Sequence, residues 1–224
     1  MSRKLLLSLV CVWLVAAPVL AKDPVFTMPR AFHAKTYPAH EAHEMEKLSI
    51  AVDPYDTADK TAGTFTTDFR AEGILPILLI MSNDGDRPIS LATMNVLLVT
   101  RGRLKISPDT NEDVFRRIAT RKESRNVPIQ NPLPIPLPKK SKKQVSREAE
   151  IEVEGAQFMA RAVEPKATRH GFLFFNVAGI ANPLAGGRIV ITGLADHNGN
   201  ELFYFEIPLE KYLSYQPGKP SPTN

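Results

Sequence analysis

The run ILPILLIM at residues 74–81 constrains this chain more than any other stretch. Its eight apolar residues lie between Gly73 and the turn-forming Ser82-Asn83-Asp84-Gly85, a length and setting that suit a buried β-strand. Pro76 sits near the start of the run, where a missing ladder donor costs least. The Asn-Asp-Gly turn leads into residues 89–100, which read as the next strand, so the two are expected to form a hairpin.

Further strand signals follow the same logic. Residues 48–52 alternate apolar and small side chains and stop at Asp53-Pro54. Residues 148–154 (EAEIEVE) alternate strictly, which as a strand places Glu148, Glu150, Glu152 and Glu154 on one face; as a helix, Glu148 and Glu152 would repel at one-turn spacing. Residues 157–163 add a further strand, and the aromatic run at 171–177 (GFLFFNV) has strand chemistry. Residues 188–194 and 201–209 flank Asp196-His197-Asn198-Gly199-Asn200, the strongest hairpin signal in the chain. Helical signals are few: a short helix over 39–47 after Pro38, one or two turns within 56–62, and a helix over 111–121. The last starts at Thr110 and Asp113, which have capping-box spacing. Seven or eight strands with turns between them predict an all-β fold, an antiparallel β-sandwich with one short helix. A closed barrel is the alternative; a doubly wound fold would need helices between most strands.

The first 21 residues read as an export signal. Arg3 and Lys4 precede an apolar stretch, and Val19 and Ala21 supply small residues before a cleavage point after Ala21. The stretch is shorter than the roughly 20 residues that span a bilayer comfortably; an uncleaved anchor is the alternative. Localisation is therefore expected to be periplasmic or secreted. The single cysteine, Cys11, lies within this leader, and Val10 before it does not fit a lipoprotein signal. The processed chain then has no disulfide and no transmembrane anchor. Residues 22–47 form an N-terminal segment, 48–212 a single sandwich domain, and 213–224 a flexible tail.

Charge is unevenly spread. Of the chain's net +4, Arg3 and Lys4 leave with the leader, so the remainder carries +2. Residues 116–147 hold ten basic side chains and the single acid Glu123, a net of +9 that leaves −7 elsewhere. Within that window, 122–146 reads as an exposed Pro/Lys-rich insertion loop. Pro134, Pro136 and Pro138 favour polyproline II, and Lys139, Lys140, Lys142 and Lys143 follow. These seven residues are the candidate partner-binding set: the prolines for an aromatic groove, the lysines for an anionic surface. No aromatic residues interleave with the lysines, so nucleic acid is not an expected partner.

Chemistry is harder to find. No G-x-S-x-G occurs, and the processed chain has no cysteine. His33, His40, His43 and Glu44 are the candidate metal ligands, because imidazole and carboxylate one helical turn apart can hold zinc or copper. The order here is H-E-A-H-E, however, not the H-E-x-x-H of zinc proteases. His170 and His197 read as strand-entry and turn residues. No cofactor is expected, a metal ion at the histidine cluster being the alternative.

Pro54-Tyr55, Phe65, Gly73-Ile74-Leu75-Pro76, Asn83-Asp84-Gly85, Gly171-Phe172-Leu173-Phe174-Phe175 and Gly193-Leu194 together resemble exported immunoglobulin-like bacterial proteins of unknown function. The resemblance covers about residues 48–209. It implies an immunoglobulin-like sandwich, with no defined activity and no catalytic residue. The expected role is a non-enzymatic binding or scaffolding module of the cell envelope, its partner another envelope protein or an anionic envelope polymer. The alternative is a metal-dependent hydrolase using the histidine cluster.

Overall fold

A computed structural model describes residues 26–125 and 145–213, with side chains up to 119 and again from 145. In chain order the elements are β1 (His40–His43), β2 (Leu48–Pro54), α1 (Ala58–Ala62), β3 (Ile74–Asn83), β4 (Ile89–Ser90), β5 (Asn95–Val99), β6 (Lys105–Ile106), α2 (Asn111–Arg125), α3 (Arg147–Ala156), β7 (Ala162–Val163), β8 (Ala167–Asn176), β9 (Arg188–Thr192) and β10 (Phe205–Pro208). One four-stranded sheet has the order β1-β2-β3-β8 and a second the order β10-β9-β5-β6, while β4 and β7 form a small third pair. The ladders between strands are antiparallel. The fold is mostly β with few helices.

The run at 74–81 becomes β3, and every residue of it is buried. Alternation along a strand sends successive side chains to opposite faces. Leu75, Ile77, Leu79 and Met81 therefore join one apolar cluster with Val96, Leu98, Ile189, Ile191, Phe205 and Ile207 of the second sheet. Ile74, Leu78 and Ile80 join another, with Phe172 and Phe174 of β8, Val114 and Ile118 of α2, and Val153 and Ala156 of α3. The first sheet is thus the middle of three layers. Each fully buried Leu or Ile contributes about 1.5–3 kcal/mol, so this strand anchors both halves of the core.

Pro76 is tolerated in this central strand for a local reason. Its carbonyl accepts from Tyr55 N at 2.9 Å, just past the end of the β2 ladder. The Tyr55 carbonyl, which a residue other than proline would satisfy there, accepts from the Thr61 hydroxyl at 3.1 Å. Helix α1, capped by Thr57, delivers that hydroxyl. The outer edge of β8 is closed as well: Pro108 and Gln157 bridge to Phe175 and Phe172, and Asp109 N donates to Phe174 O at 2.7 Å. Gly171 permits the approach, since a Cβ there would stand 2.5 Å from Phe158 Cα.

Four expectations fail. The described residues hold three α-helices, not one short helix, because the second face of the first sheet needs a covering layer. Residues 89–100 do not form a hairpin with β3, because β2 and β8 occupy both of its edges. Asn83 instead organises a wide loop: its Oδ1 accepts from Gly85 N, and its Nδ2 donates to Arg87 O and Val163 O. The chain then crosses to the second sheet. Residues 39–47 are not helical; they form edge strand β1 and a tight turn ending at Lys47, with φ +51°. Residues 148–154 are not a strand but the heart of α3. Ser146 caps that helix by accepting from Ala149 N, Glu148 and Glu150 lie in its first turn, where the helix dipole favours acids, and Ala149, Glu152, Val153 and Ala156 form its buried face. Helix α2 does carry the Thr110–Asp113 capping pair and runs to Arg125, beyond the expected 121.

Glu152 explains why α3 overrides the alternation. The residue is 5% exposed. One carboxylate oxygen accepts from Thr66 N and Thr66 Oγ1, both at 2.6 Å, and the other from Thr67 N at 3.1 Å. The side chain expected to repel Glu148 is thus turned inward and neutralised by donors. Glu152→Ala is expected to destabilise the fold by about 3 kcal/mol, since it strands two backbone N–H groups, and Glu152→Gln by less than half of that; urea midpoints at constant m measure both. Burial, reinforced by the charge of Asp53, pushes Tyr55 up to about 12, against a hydrogen bond with Thr64 that favours the anion. The stability this group contributes is intact below pH 10, its ordinary value, and is lost as pH rises through 12. Melts across pH 9–12 are expected to fall more shallowly for Tyr55→Phe than for the parent chain.

Candidate functional site

Three loops converge at the end of the two packed sheets where β3 finishes and β9 turns. They are the β1–β2 turn (44–47), the loop after β3 (84–88) and the β9–β10 connection (193–204). Together they enclose a groove of about 410 Å³ whose lining includes Met45, Lys47, Asp86, Arg87, His197 and Leu202.

Backbone hydrogen bonds fix each wall. Asp84 N donates to Lys47 O at 2.8 Å, tying the first loop to the second. Lys166, at the start of β8, donates to Asp84 O at 2.6 Å and pairs with Asp86 at 3.0 Å. In the third loop Asp196 Oδ1 accepts from Asn198 N and Asn200 N, and its Oδ2 accepts from Asn200 Nδ2. Ser90 and Ala195 exchange both of their backbone hydrogen bonds, joining β4 to this loop. The β9–β10 hairpin expected from the Asn-Gly signal is present, with Phe205 opposite Ile191. Its second strand begins at Phe205, not at 201; Glu201 bridges Ala195, Leu202 N donates to Leu194 O, and residues 203–204 leave the ladder.

That departure exposes apolar surface. Phe203 is 66% exposed and Tyr204 44%, their rings 4.5 Å apart, while Met45 in the first loop is 95% exposed. Phe203 also lies 6.2 Å from the His43 ring. Strand alternation across 201–209 would have hidden Phe203 alongside Phe205. The available sequence signal was three consecutive aromatics, which no single strand face can bury.

Two groove carboxyls, Asp86 and Asp196, are held as anions. The hydrogen bond and charge of Lys166 hold Asp86 below the usual carboxylate range. The Asn200 side chain, then the N–H groups of its own loop, do the same for Asp196. General acid–base catalysis works best with a pKa near the operating pH; these two groups are shifted away from it.

The histidines take separate roles. His33 Nδ1 accepts from Lys35 N, so Nε2 carries the proton and donates to Asp84 Oδ1 at 2.9 Å, bracing the second loop. His40 Nδ1 donates to Tyr37 O at 2.6 Å. His43 stacks on Phe205 at 3.8 Å, and its Nε2 donates to Glu41 Oε1. Glu41 accepts from Glu206 N with its other oxygen, clasping β1 of the first sheet to β10 of the second. Glu44 pairs with Lys35. In a strand, positions three apart face opposite ways, so β1 separates His40 from His43. Among the described residues no three His, Cys, Asp or Glu side chains form a group that could hold a metal ion. His197 lies in the β9–β10 turn, whereas His170 is inside β8, opposite Ile80, not at its entry. The partner-binding candidates Pro134, Pro136, Pro138, Lys139, Lys140, Lys142 and Lys143, and the leader at 1–21, lie outside the described residues. Among the described residues no helix is long and apolar enough to cross a membrane.

Carboxyl NMR titration is expected to find Asp86 and Asp196 ionising below an ordinary aspartate. Lys166→Met is expected to return Asp86 toward the ordinary range and leave Asp196 where it was.

No protein-family model and no curated protein matches the chain. Among solved structures, a conserved hypothetical protein from Bacillus anthracis is similar at 12% identity over 69% of this chain and 85% of that one, with a TM-score of 0.26. An overlap at that score transfers neither fold nor activity.

Proposed function

We propose that the chain is an exported, non-enzymatic binding module of the cell envelope, and that its ligand end is the three-loop groove. The carrying observation is the pairing of fixed walls with exposed Met45 in the lining and exposed Phe203 and Tyr204, which follow the lining residue Leu202 in the third loop. Met, aromatic residues and Arg are enriched at protein–protein interfaces, and Arg87 lines the same groove. The partner is accordingly another envelope protein. Carboxyls shifted away from neutrality favour recognition over catalysis.

The architecture proposed for this module is an immunoglobulin-like sandwich. Neighbours β2-β3-β8 and β10-β9-β5-β6 follow the A-B-E and G-F-C-C′ orders of that fold, with β1 added outside the first edge. The D strand, which would pair beside β8, has its place taken by the bridges at Pro108 and Gln157. In this frame the groove lies between the B–C and F–G loops, and the leader accounts for export.

Site-specific photocrosslinking in envelope preparations tests the reading. A crosslinker at Phe203 or Met45 is expected to capture one discrete partner and a crosslinker at exposed Glu112 none. Phe203→Ala with Tyr204→Ala is expected to weaken the purified complex at least tenfold, as loss of an interface anchor does. Deleting 126–144, which spares α2 and the Ser146 cap of α3, is expected to leave the crosslink in place. Equal capture at Glu112, or capture abolished by the deletion alone, would reject the groove as the ligand end.

A further inference from the structure

The turn joining β5 to β6 has no part in the groove. Arg101, Gly102, Arg103, Leu104 and Lys105 are five consecutive exposed residues, and Leu104 is 56% exposed. Among the described residues none of the three cations has an ion-pair partner. Glu210, whose contact at Gly186 brings it to this end of the sheet, accepts from Gly186 N.

The turn is built, not frayed. Arg103 N donates to Thr100 O and Thr100 N to Leu104 O, both at 2.9 Å, and the Thr100 hydroxyl accepts from Leu104 N at 3.2 Å. Arg103 holds φ +62°, a conformation that glycine adopts more readily, so the cation is kept at some backbone strain. The stem of Arg101 packs on Gly186, where a Cβ would stand 2.9 Å from Arg101 Cβ.

A lone exposed leucine is ordinary on a protein surface; what sets this tip apart is a leucine held among three cations on one hydrogen-bonded turn. A soluble polyanion would engage the cations and leave Leu104 in water. A bilayer surface satisfies both, taking the apolar side chain into the boundary between headgroups and acyl chains while the cations meet anionic headgroups. We infer that the β5–β6 turn is a membrane-contact tip, docking on anionic lipid headgroups with Leu104 inserted. The tip leaves the second sheet at its Val99–Arg188 end, whereas the β9–β10 loop of the groove leaves at the Asn95–Thr192 end. A docked molecule therefore holds the groove away from the lipid, and the inference stands or falls independently of the groove's ligand.

The test uses the chain from Lys22 onward, which contains every described residue. Its one tryptophan in the full sequence is Trp13, so Leu104→Trp provides a single reporter at an exposed site, its fold checked by circular dichroism. Vesicles of phosphatidylcholine with phosphatidylglycerol are expected to shift the reporter's emission to the blue, and vesicles of phosphatidylcholine alone are not. Adding Arg101→Gln, Arg103→Gln and Lys105→Gln is expected to weaken vesicle affinity about 100-fold, each cation near an anionic surface being worth about fivefold. Three outcomes would overturn the inference: anionic vesicles that leave the emission unmoved, whether or not the chain co-sediments with them; a shift that survives the triple substitution; or an equal shift with soluble polyphosphate.

Discussion

Burial of β3 on both faces is the constraint on which the rest of the structure depends. A sandwich of two sheets covers one face of each and leaves the other to solvent. Here the second face of the first sheet carries Ile74, Leu78 and Ile80, joined by Phe172 and Phe174, and water would not tolerate that surface. The chain must therefore supply a third layer, which it does from α2, α3 and the segment before β1. Phe26 stacks on Phe65 at 5.5 Å, and Phe65 meets Phe69 and Phe172 edge-to-face. The helices between β6 and β7 are thus part of the core, not an ornament on a sandwich. The same constraint explains the care taken over Pro76 and the outer edge of β8, since a buried unpaired carbonyl would cost about as much as a core methylene or more.

The sequence was most legible where one residue pattern admitted one environment. Eight apolar residues between turns had to be a buried strand, and an Asn-Gly turn between apolar runs had to be a hairpin. Thr110 and Asp113 had to cap a helix, since each satisfies the other's neighbourhood locally. Legibility failed where a distant partner decided. The alternation of 148–154 is real, but Ala149 and Val153 share a face under a period of two and under a period of 3.6, and only the helical period brings Glu152 to that face. The choice is made by Thr66 and Thr67, some 85 residues away. Ser146 was the local signal that favoured helix, and it lay just outside the alternating stretch. Residues 39–47 look helical by composition, yet β2 has an unpaired edge that a four-residue strand can cover. For 89–100 the turn chemistry was sound, but β8 pairs with β3 along all ten of its residues and takes that edge.

The histidine cluster shows the same limit at the level of the site. Proximity in sequence suggested common ligation, whereas a strand disperses what a helix would have gathered. His33, His43 and Glu41 spend their polar atoms on structural ties between segments. Nothing local in H-E-A-H-E distinguishes the two outcomes; the pairing of β1 with β2 does.

Strain and charge meet at both ends of the molecule. Among the described residues, the non-glycine positions with left-handed backbone are Lys47, Arg103 and Lys166. Glycine would relieve each at a saving of order 1 kcal/mol, and in each case a cation is retained instead. Lys166 shows what such a position provides: its ammonium pins Asp84 O and Asp86 together and so sets one wall of the groove. Lys47 offers its carbonyl to Asp84 N, so the turn it closes fixes that wall from the other side. Because these walls are held by backbone groups, asparagine amides and one ammonium, the side chains that face outward, Met45, Phe203 and Tyr204, are free of structural duty. On the proposed reading, recognition can then be changed by substituting them without disturbing the loops that present them, and the two-sided core keeps that end in a constant relation to the basic turn at the other.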